Sequence, residues 1–245
     1  MATTTVYYSS QGRVDKTTGG TPSASWATVR GSNTTTGNSV ASTGANENFA
    51  CKMEAARGGS VFTSNKRAYF YFDLSSIGTT ISSITLKARG GTNAANQNGD
   101  WIVARANSDN DFGTIATSDY PLVFNSTTSF TSYSAFQSTN WSANTNNSVA
   151  LNAAAITNAN SGGELCVCLM NYTYDFANTA VEESFGNIEN TLSFANSGTS
   201  RANLVVVHAD AATGYPNPVN AIASANINKI NAILSTDINK VNGVS

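Results

Sequence analysis

Hydrophobic positions along this chain recur on a step of two rather than 3.6 almost everywhere before the C-terminus. Short runs rich in Val, Ile, Tyr and Phe, separated by clusters of Gly, Asn and Ser, predict strands at residues 4–8, 48–56, 67–73, 83–88, 101–106, 148–151, 165–171, 181–185 and 203–208. A weaker strand is expected inside 129–136. Alternation through Tyr69, Phe70, Tyr71 and Phe72 sends large rings to both faces of one strand, so Phe70 or Phe72 belongs in a core. Gly58-Gly59 suits a hairpin, Gly90-Gly91 closes the run before it, and Ser161-Gly162-Gly163 leads into the strand at 165. The best helix before the tail is short: residues 151–158, with Asn152 as its cap and three alanines behind it. Many short strands punctuated by turn residues predict an all-β fold, a jelly-roll-like β-sandwich.

Two segments break this pattern. Residues 17–48 have few bulky apolar side chains beyond Trp26, Val29 and Val40, and read as a long loop or extended arm laid over the surface, or else as a flexible linker. At Tyr215-Pro216-Asn217-Pro218 the two prolines stop any preceding sheet. The expected organisation is an N-terminal strand and arm (1–47), a sandwich (48–214) and a C-terminal tail (215–245).

The tail repeats itself. Asn226-Ile227-Asn228-Lys229-Ile230-Asn231-Ala232-Ile233 returns eleven residues later as Asp237-Ile238-Asn239-Lys240-Val241-Asn242-Gly243-Val244. Ile222, Ile227, Ile230, Leu234, Ile238 and Val241 fall on one helical stripe, and Gly243 suits a helix stop. Asn and β-branched residues are mediocre helix formers, so such a helix needs a partner to hold it. The stripe is therefore expected to mediate association, with the chain itself as a homo-oligomer or with another protein; a frayed tail is the competing reading.

Composition narrows the function. Of 245 residues, 31 are Asn, 30 Thr and 30 Ser, while only 11% are charged, against roughly 25% in an ordinary soluble domain. Thirteen Lys and Arg against fifteen Asp and Glu give no field to attract phosphate, so nucleic acid is not an expected partner. No run of apolar residues is long enough to span a membrane, and the N-terminus lacks the basic and apolar regions of a secretory signal. Cys51, Cys166 and Cys168 make no disulfide framework; the last two share a strand face and read as small core hydrophobes.

The run Lys66-Arg67-Ala68-Tyr69-Phe70-Tyr71-Phe72-Asp73-Leu74-Ser75-Ser76-Ile77 resembles the arginine–aromatic–Phe-Asp-Leu-Ser-Ser-Ile strand of DNRLRE-type jelly-roll domains, which are similar to carbohydrate-binding modules. Ile81-Ser82-Ser83-Ile84-Thr85-Leu86-Lys87-Ala88 resembles that family's next strand. Arg201-Ala202-Asn203-Leu204-Val205-Val206-Val207 resembles its last, with Ala where Pro is usual. The resemblance covers about residues 50–210. Asp73 is placed to end its strand and accept backbone N–H groups of the following turn. The tail repeat resembles the tails of tailed-phage structural proteins, notably of marine phages and cyanophages. Those resemblances imply a virion protein made in the host cytoplasm, whose partners are other capsid or tail proteins and itself.

Chemistry-bearing patterns are sparse. The single His208 reads as a strand-edge residue, the adjacent Glu182 and Glu183 point to opposite faces, and Asp109-Asn110-Asp111 does not complete a calcium loop. No nucleotide, zinc or nucleophile motif is present, so neither an enzyme nor a bound cofactor or metal is expected. Trp26 and Trp141, in polar surroundings, are the candidates for stacking on a sugar ring; a loop anchor packed on the sandwich is the alternative for each. The expected function is a non-enzymatic virion structural protein, a capsid decoration or fibre. A carbohydrate-binding adhesion module, with host-surface glycans as partners, is the second reading.

Overall fold

The computed structural model describes residues 1–17, 25–41, 46–56, 59–93, 99–107, 115–138, 141–179, 188–189, 192–195, 201–211, 229–230 and 233–234. In chain order its elements are β1 (Ala2–Tyr7), β2 (Ser10–Thr17), α1 (Trp26–Arg30), β3 (Ser39–Ala41), β4 (Asn46–Ala56), β5 (Gly59–Asp73), β6 (Ile81–Asn93), β7 (Trp101–Arg105), β8 (Asn146–Ala150), α2 (Ala153–Gly162), β9 (Glu164–Asn171), β10 (Ile188–Glu189), β11 (Leu192–Ala195), β12 (Asn203–His208), β13 (Lys229–Ile230) and β14 (Ile233–Leu234).

Two antiparallel sheets face each other. The first runs β8-β6-β12-β1 and the second β7-β9-β5-β2-β3. At one end β4 and β11 join them, because β11 pairs with both β6 and β4 while β4 pairs with β5. The all-β sandwich read from the period-two pattern is the fold.

The space between the sheets holds the main core. Ala68, Phe70 and Phe72 of β5, with Leu165, Val167 and Leu169 of β9, meet Ile84 and Leu86 of β6 and Leu204 and Val206 of β12. Phe70 and Phe72 are both fully buried. α2 closes one end: the Asn152 side chain accepts the N–H groups of Ala154 and Ala155, and Gly163 stops the helix at φ 66°. The turn after β5 forms as its sequence predicts. Asp73 accepts the Ser75 N–H at 2.9 Å, and this bonding holds its carboxyl below the usual range.

Several expectations are corrected. Residues 1–47 are not an appendage to a sandwich starting at 48. β1 pairs with β12 along its whole length, and β2 pairs with β5 from Ser10 to Thr17. α1 lies against the second sheet with Trp26 and Val29 buried, so those side chains anchor the segment, while Val40 stays exposed. Gly90-Gly91 is no turn, because β6 runs on to Asn93. Gly90 is needed there for close approach: a Cβ would sit 2.1 Å from the Ser142 carbonyl oxygen. Residues 129–136 form single bridges, Phe124 to Phe130 and Ala104 to Ser132, rather than a strand. In the tail, Lys229 pairs with Leu234 and Ile230 with Ile233 as an antiparallel hairpin, not a helical turn. The β-branched residues and Asn that weakened the helix expectation favour this outcome. Ile222, Ile227, Ile238 and Val241, the strand at 181–185, Asp109 to Asp111 and the Glu182-Glu183 pair lie outside the described residues.

Candidate functional site

The second sheet is buried on both faces. Its outer face carries Arg67 and Tyr69 of β5, Ile102 and Ala104 of β7, and Cys166, Cys168 and Met170 of β9. Neither of these two cysteines is in a disulfide, and burial pushes the Cys168 thiol well above its ordinary pKa, as expected of a small hydrophobe rather than a reactive group. The cover is irregular chain: α1, a tight 3-10 segment at Thr117–Val123, the bridges of residues 124–137, and a single π-type turn at Tyr172–Phe176.

That π turn builds the site. Asn171 caps it by accepting the Tyr174 N–H at 2.8 Å, and the Asp100 carboxylate receives the Thr173 hydroxyl. Tyr174 and Asp175 turn inward and are buried, while Tyr172 and Phe176, one turn apart, stay half-exposed. Asp175 meets Arg67 face to face: Nε donates to Oδ2 at 2.8 Å and Nη2 to Oδ1 at 2.7 Å, with both residues fully buried. Arg67 also donates to the Tyr120 carbonyl at 3.1 Å and to the Arg30 carbonyl at 3.0 Å. Arg30 in turn donates to the Asp175 carbonyl at 2.6 Å and to the Thr128 carbonyl at 2.9 Å. Burial is the largest influence and works against the Arg67 charge, but the Asp175 carboxylate and its hydrogen bond, together with the Tyr120 and Tyr69 hydroxyls, outweigh it and hold the guanidinium protonated more firmly than usual.

Above the ion pair runs a row of aromatic rings. Phe124 and Phe130 lie 4.6 Å apart, Phe130 and Phe176 5.6 Å, Phe176 and Tyr172 5.8 Å, and Tyr172 and Phe136 4.7 Å. The last two steps are nearly parallel, at 20° and 19°. At the inner end Arg67 sits 4.9 Å from the Phe124 ring centre and Arg30 4.7 Å from that of Phe130. At the outer end Phe136 is 51% exposed. The row thus leads from a sealed charge pair to an open ring, a platform on which a flat apolar face could stack.

The tryptophans expected to serve that purpose do not. Trp26 is 7% and Trp141 3% exposed, and Trp141 packs edge-on against Trp101 at 5.2 Å. Buried rings offer no face to a ligand; polar neighbours in sequence did not mean polar neighbours in space. Two sequence features belong to this aromatic row, although neither names its partner. A lone arginine among the buried aromatics of β5 demands an acidic partner, and Tyr-Thr-Tyr-Asp-Phe supplies one between rings.

His208 acts as a fastener. Its Nδ1 lies 2.8 Å from the Ala209 carbonyl and 2.9 Å from the Thr79 hydroxyl; Nε2 lies 3.0 Å from the Thr4 hydroxyl and links β12 to β1. A cavity of about 510 Å³ opens between α2 and the β5–β6 turn, lined by Ser75, Ile77, Thr79, Thr80 and Asn160. Asn160 is occupied on both sides by the Ile81 backbone. Among the described residues no cluster of His, Cys, Asp and Glu is arranged to hold a metal ion, and no helix is long and apolar enough to cross a membrane. No protein-family model matches the chain, and no curated protein matches it either.

Proposed function

We propose that this chain is a non-catalytic structural protein of a tailed-phage particle, displayed on it as a capsid decoration or fibre-type component and held there through its C-terminal repeat. The observation that carries the reading is the use made of ionisable groups. Arg67, Arg30 and Asp175 are closed beneath aromatic rings, and His208 ties two strands; each fastens layers of the fold together. The resemblance of the tail to phage structural proteins, and a composition rich in Asn, Thr and Ser with few charged residues, support the same reading. The test is to purify particles and count this chain by quantitative mass spectrometry. Hundreds of copies indicate a decoration protein, a handful a fibre or tail-tip component, and none overturns the proposal. Particles carrying the Ile230→Asp/Ile238→Asp variant are expected to lose the protein while the sandwich stays folded.

One observation favours a second reading, a glycan-binding adhesion module. The open end of the aromatic row, Phe136 and Tyr172, is where a sugar face would stack. Binding of host-surface glycans that disappears in Phe136→Ala but survives in Trp26→Phe would establish it. Absence of any glycan binding by the intact chain would remove it.

A further inference from the structure

The four lateral strands of the two sheets end in different ways. The outer edge of β7 is hydrogen-bonded by the chain at 131–137, with Gln137 exchanging bonds with Trp101 and Tyr133 donating to Val103. β3 is three residues long. β8 is five residues long and opens with two asparagines, one of which, Asn147, turns its side chain back to Ser142 and Ala88. β1 is six residues long, Ala-Thr-Thr-Thr-Val-Tyr. It holds no charge, no Pro and no Gly, the devices that normally blunt a sheet edge. It pairs with β12 throughout, and among the described residues no strand pairs with its other side. It is also fixed at both ends: the Met1 ammonium bonds Asp210 at 2.6 Å, and the Arg201 guanidinium sits 5.0 Å from the Tyr7 ring centre. An ordered, unblunted, uncharged edge is a template for another strand.

We infer that β1 pairs antiparallel with β1 of a second copy of this chain about a two-fold axis, joining two four-stranded sheets into one. The side chains set the register. Thr3, Thr5 and Tyr7 are exposed while Ala2, Thr4 and Val6 are half-buried. A two-fold axis normal to the sheet keeps each face on its own side, so directly opposed residues must belong to the same set. Placing Thr4 on the axis meets this condition: Thr3 faces Thr5, Ala2 faces Val6 and Met1 faces Tyr7. Threonine then meets threonine on the exposed face, a favourable cross-strand pair. The charges agree as well. Asp210 is paired with the Met1 ammonium and Arg201 stands over Tyr7, so each end of the joined ladder sets the Asp210 carboxylate of one copy between its own Met1 ammonium and the Arg201 side of the other. A tail peptide or an unrelated protein would meet the same backbone edge without this double match of residues and charge. The inference uses neither the C-terminal repeat nor the virion reading.

The test uses the full chain carrying Ile230→Asp and Ile238→Asp, which separates β1 pairing from association through the tail. Sedimentation across micromolar to millimolar concentration is expected to show a monomer–dimer equilibrium. The Thr3–Val6 amides are expected to gain protection from hydrogen exchange as dimer forms. Adding Thr3→Lys/Thr5→Lys, or Thr3→Glu/Thr5→Glu, at exposed positions is expected to leave Tm unchanged and weaken self-association about tenfold or more, by opposing like charges across the ladder. An equimolar mixture of the two variants is expected to pair again, now one to one. A chain that stays monomeric throughout overturns the inference. So does a dimer whose β1 amides exchange as in the monomer, or a mixture of the two variants that fails to pair.

Discussion

The two faces of the second sheet are both buried, yet they are sealed by different means. The inner face meets another sheet, whose backbone groups are already paired in ladders. Its contacts are therefore side chain to side chain, and aliphatic and aromatic residues suffice. The outer face meets irregular chain, which brings carbonyl oxygens with no ladder to satisfy them. Those of Val29, Arg30, Tyr120, Thr128 and Asp175 receive their hydrogen bonds from Arg67, Arg30 and the Tyr69 and Tyr120 hydroxyls. A guanidinium, with five donors in one plane, is suited to gather several such oxygens at once. Asp175 supplies the charge that makes burying Arg67 tolerable. The contrast teaches that a β-sandwich can carry a third, loop-built layer when one arginine serves as its hub.

The largest effect is expected from removing that hub. Arg67→Met should destabilise the fold by about 3–5 kcal/mol in urea titration, because the buried Asp175 carboxylate loses both of its guanidinium hydrogen bonds and keeps only the longer ion pair to Arg30, at 3.8 Å. Adding Asp175→Leu should return part of the loss by removing that charge, but not all of it, since the Tyr120 and Arg30 carbonyls lose the guanidinium and keep only the Tyr69 and Tyr120 hydroxyls as donors. On the inner face Phe70→Ala should cost a similar ~3–5 kcal/mol through its cavity, and no polar second substitution should restore it. Full recovery in the arginine double variant would show that the carbonyls find other donors and that the hub role is wrong.

A smaller loss is expected at Tyr120, whose hydroxyl donates to the Val29 carbonyl at 2.9 Å and accepts from Asn65 at 3.0 Å. Tyr120→Phe keeps the ring under Arg67 and leaves buried polar groups unpaired, a cost of roughly 1–3 kcal/mol. The same substitution at a ring between the sheets would find no comparable network, which separates polar fastening from packing.

High pH should separate the faces without mutation. Burial raises the pKa of Tyr69 and Cys168 on the outer face. It also raises that of Tyr71, to about 12 with help from the hydroxyl bond to Glu164. Each group is held protonated by the fold, so its contribution is complete below its ordinary pKa, about 10 for a phenol, and falls as pH rises through the native value. For Tyr71 that window lies between about 10 and about 12. Phenolate absorbance and circular dichroism should therefore change together above pH 10. Phenolate signal from all nine tyrosines, with the dichroism unchanged, would contradict the burial of the outer layer.

The inner face could be read from the chain almost residue by residue, whereas the outer layer could not, and the reason is the range of the determinants. Alternation in Tyr69–Phe72 and in Leu165–Met170 is local, as are the Asn152 cap and the Asp73 turn, so the strands and α2 were placed correctly. The outer layer depends on partners 37 to 145 residues apart, such as Arg67 with Arg30 and Arg30 with Asp175. Nothing local marks which loop will cover which face. β2 was missed for a related reason. Ser10-Gln11-Gly12-Arg13-Val14-Asp15-Lys16-Thr17 has little β propensity and is a strand because β5 offers it an edge. Trp26 and Trp141 follow the loop-anchor alternative rather than the sugar-stacking one, because a Thr- and Asn-rich neighbourhood hides an anchoring ring as readily as it surrounds an exposed one.

The smallest effect is expected at the open end of the aromatic row, and its smallness is informative. Stability along the row should grade with depth. Phe130 covers Arg30 and Arg67 and Phe176 packs against Phe130, so truncating either opens the layer over the ion pair, whereas Phe136 is 51% exposed and stacks on Tyr172. Phe136→Ala should change stability by no more than about 0.5 kcal/mol, the usual range for a surface position away from such features. A ring that contributes so little to the fold can be removed without disturbing it, which makes Phe136→Ala the clean variant for testing the glycan-binding reading. If Phe136→Ala instead cost as much as Phe176→Ala, the ring would be part of the seal and the platform would have no open end.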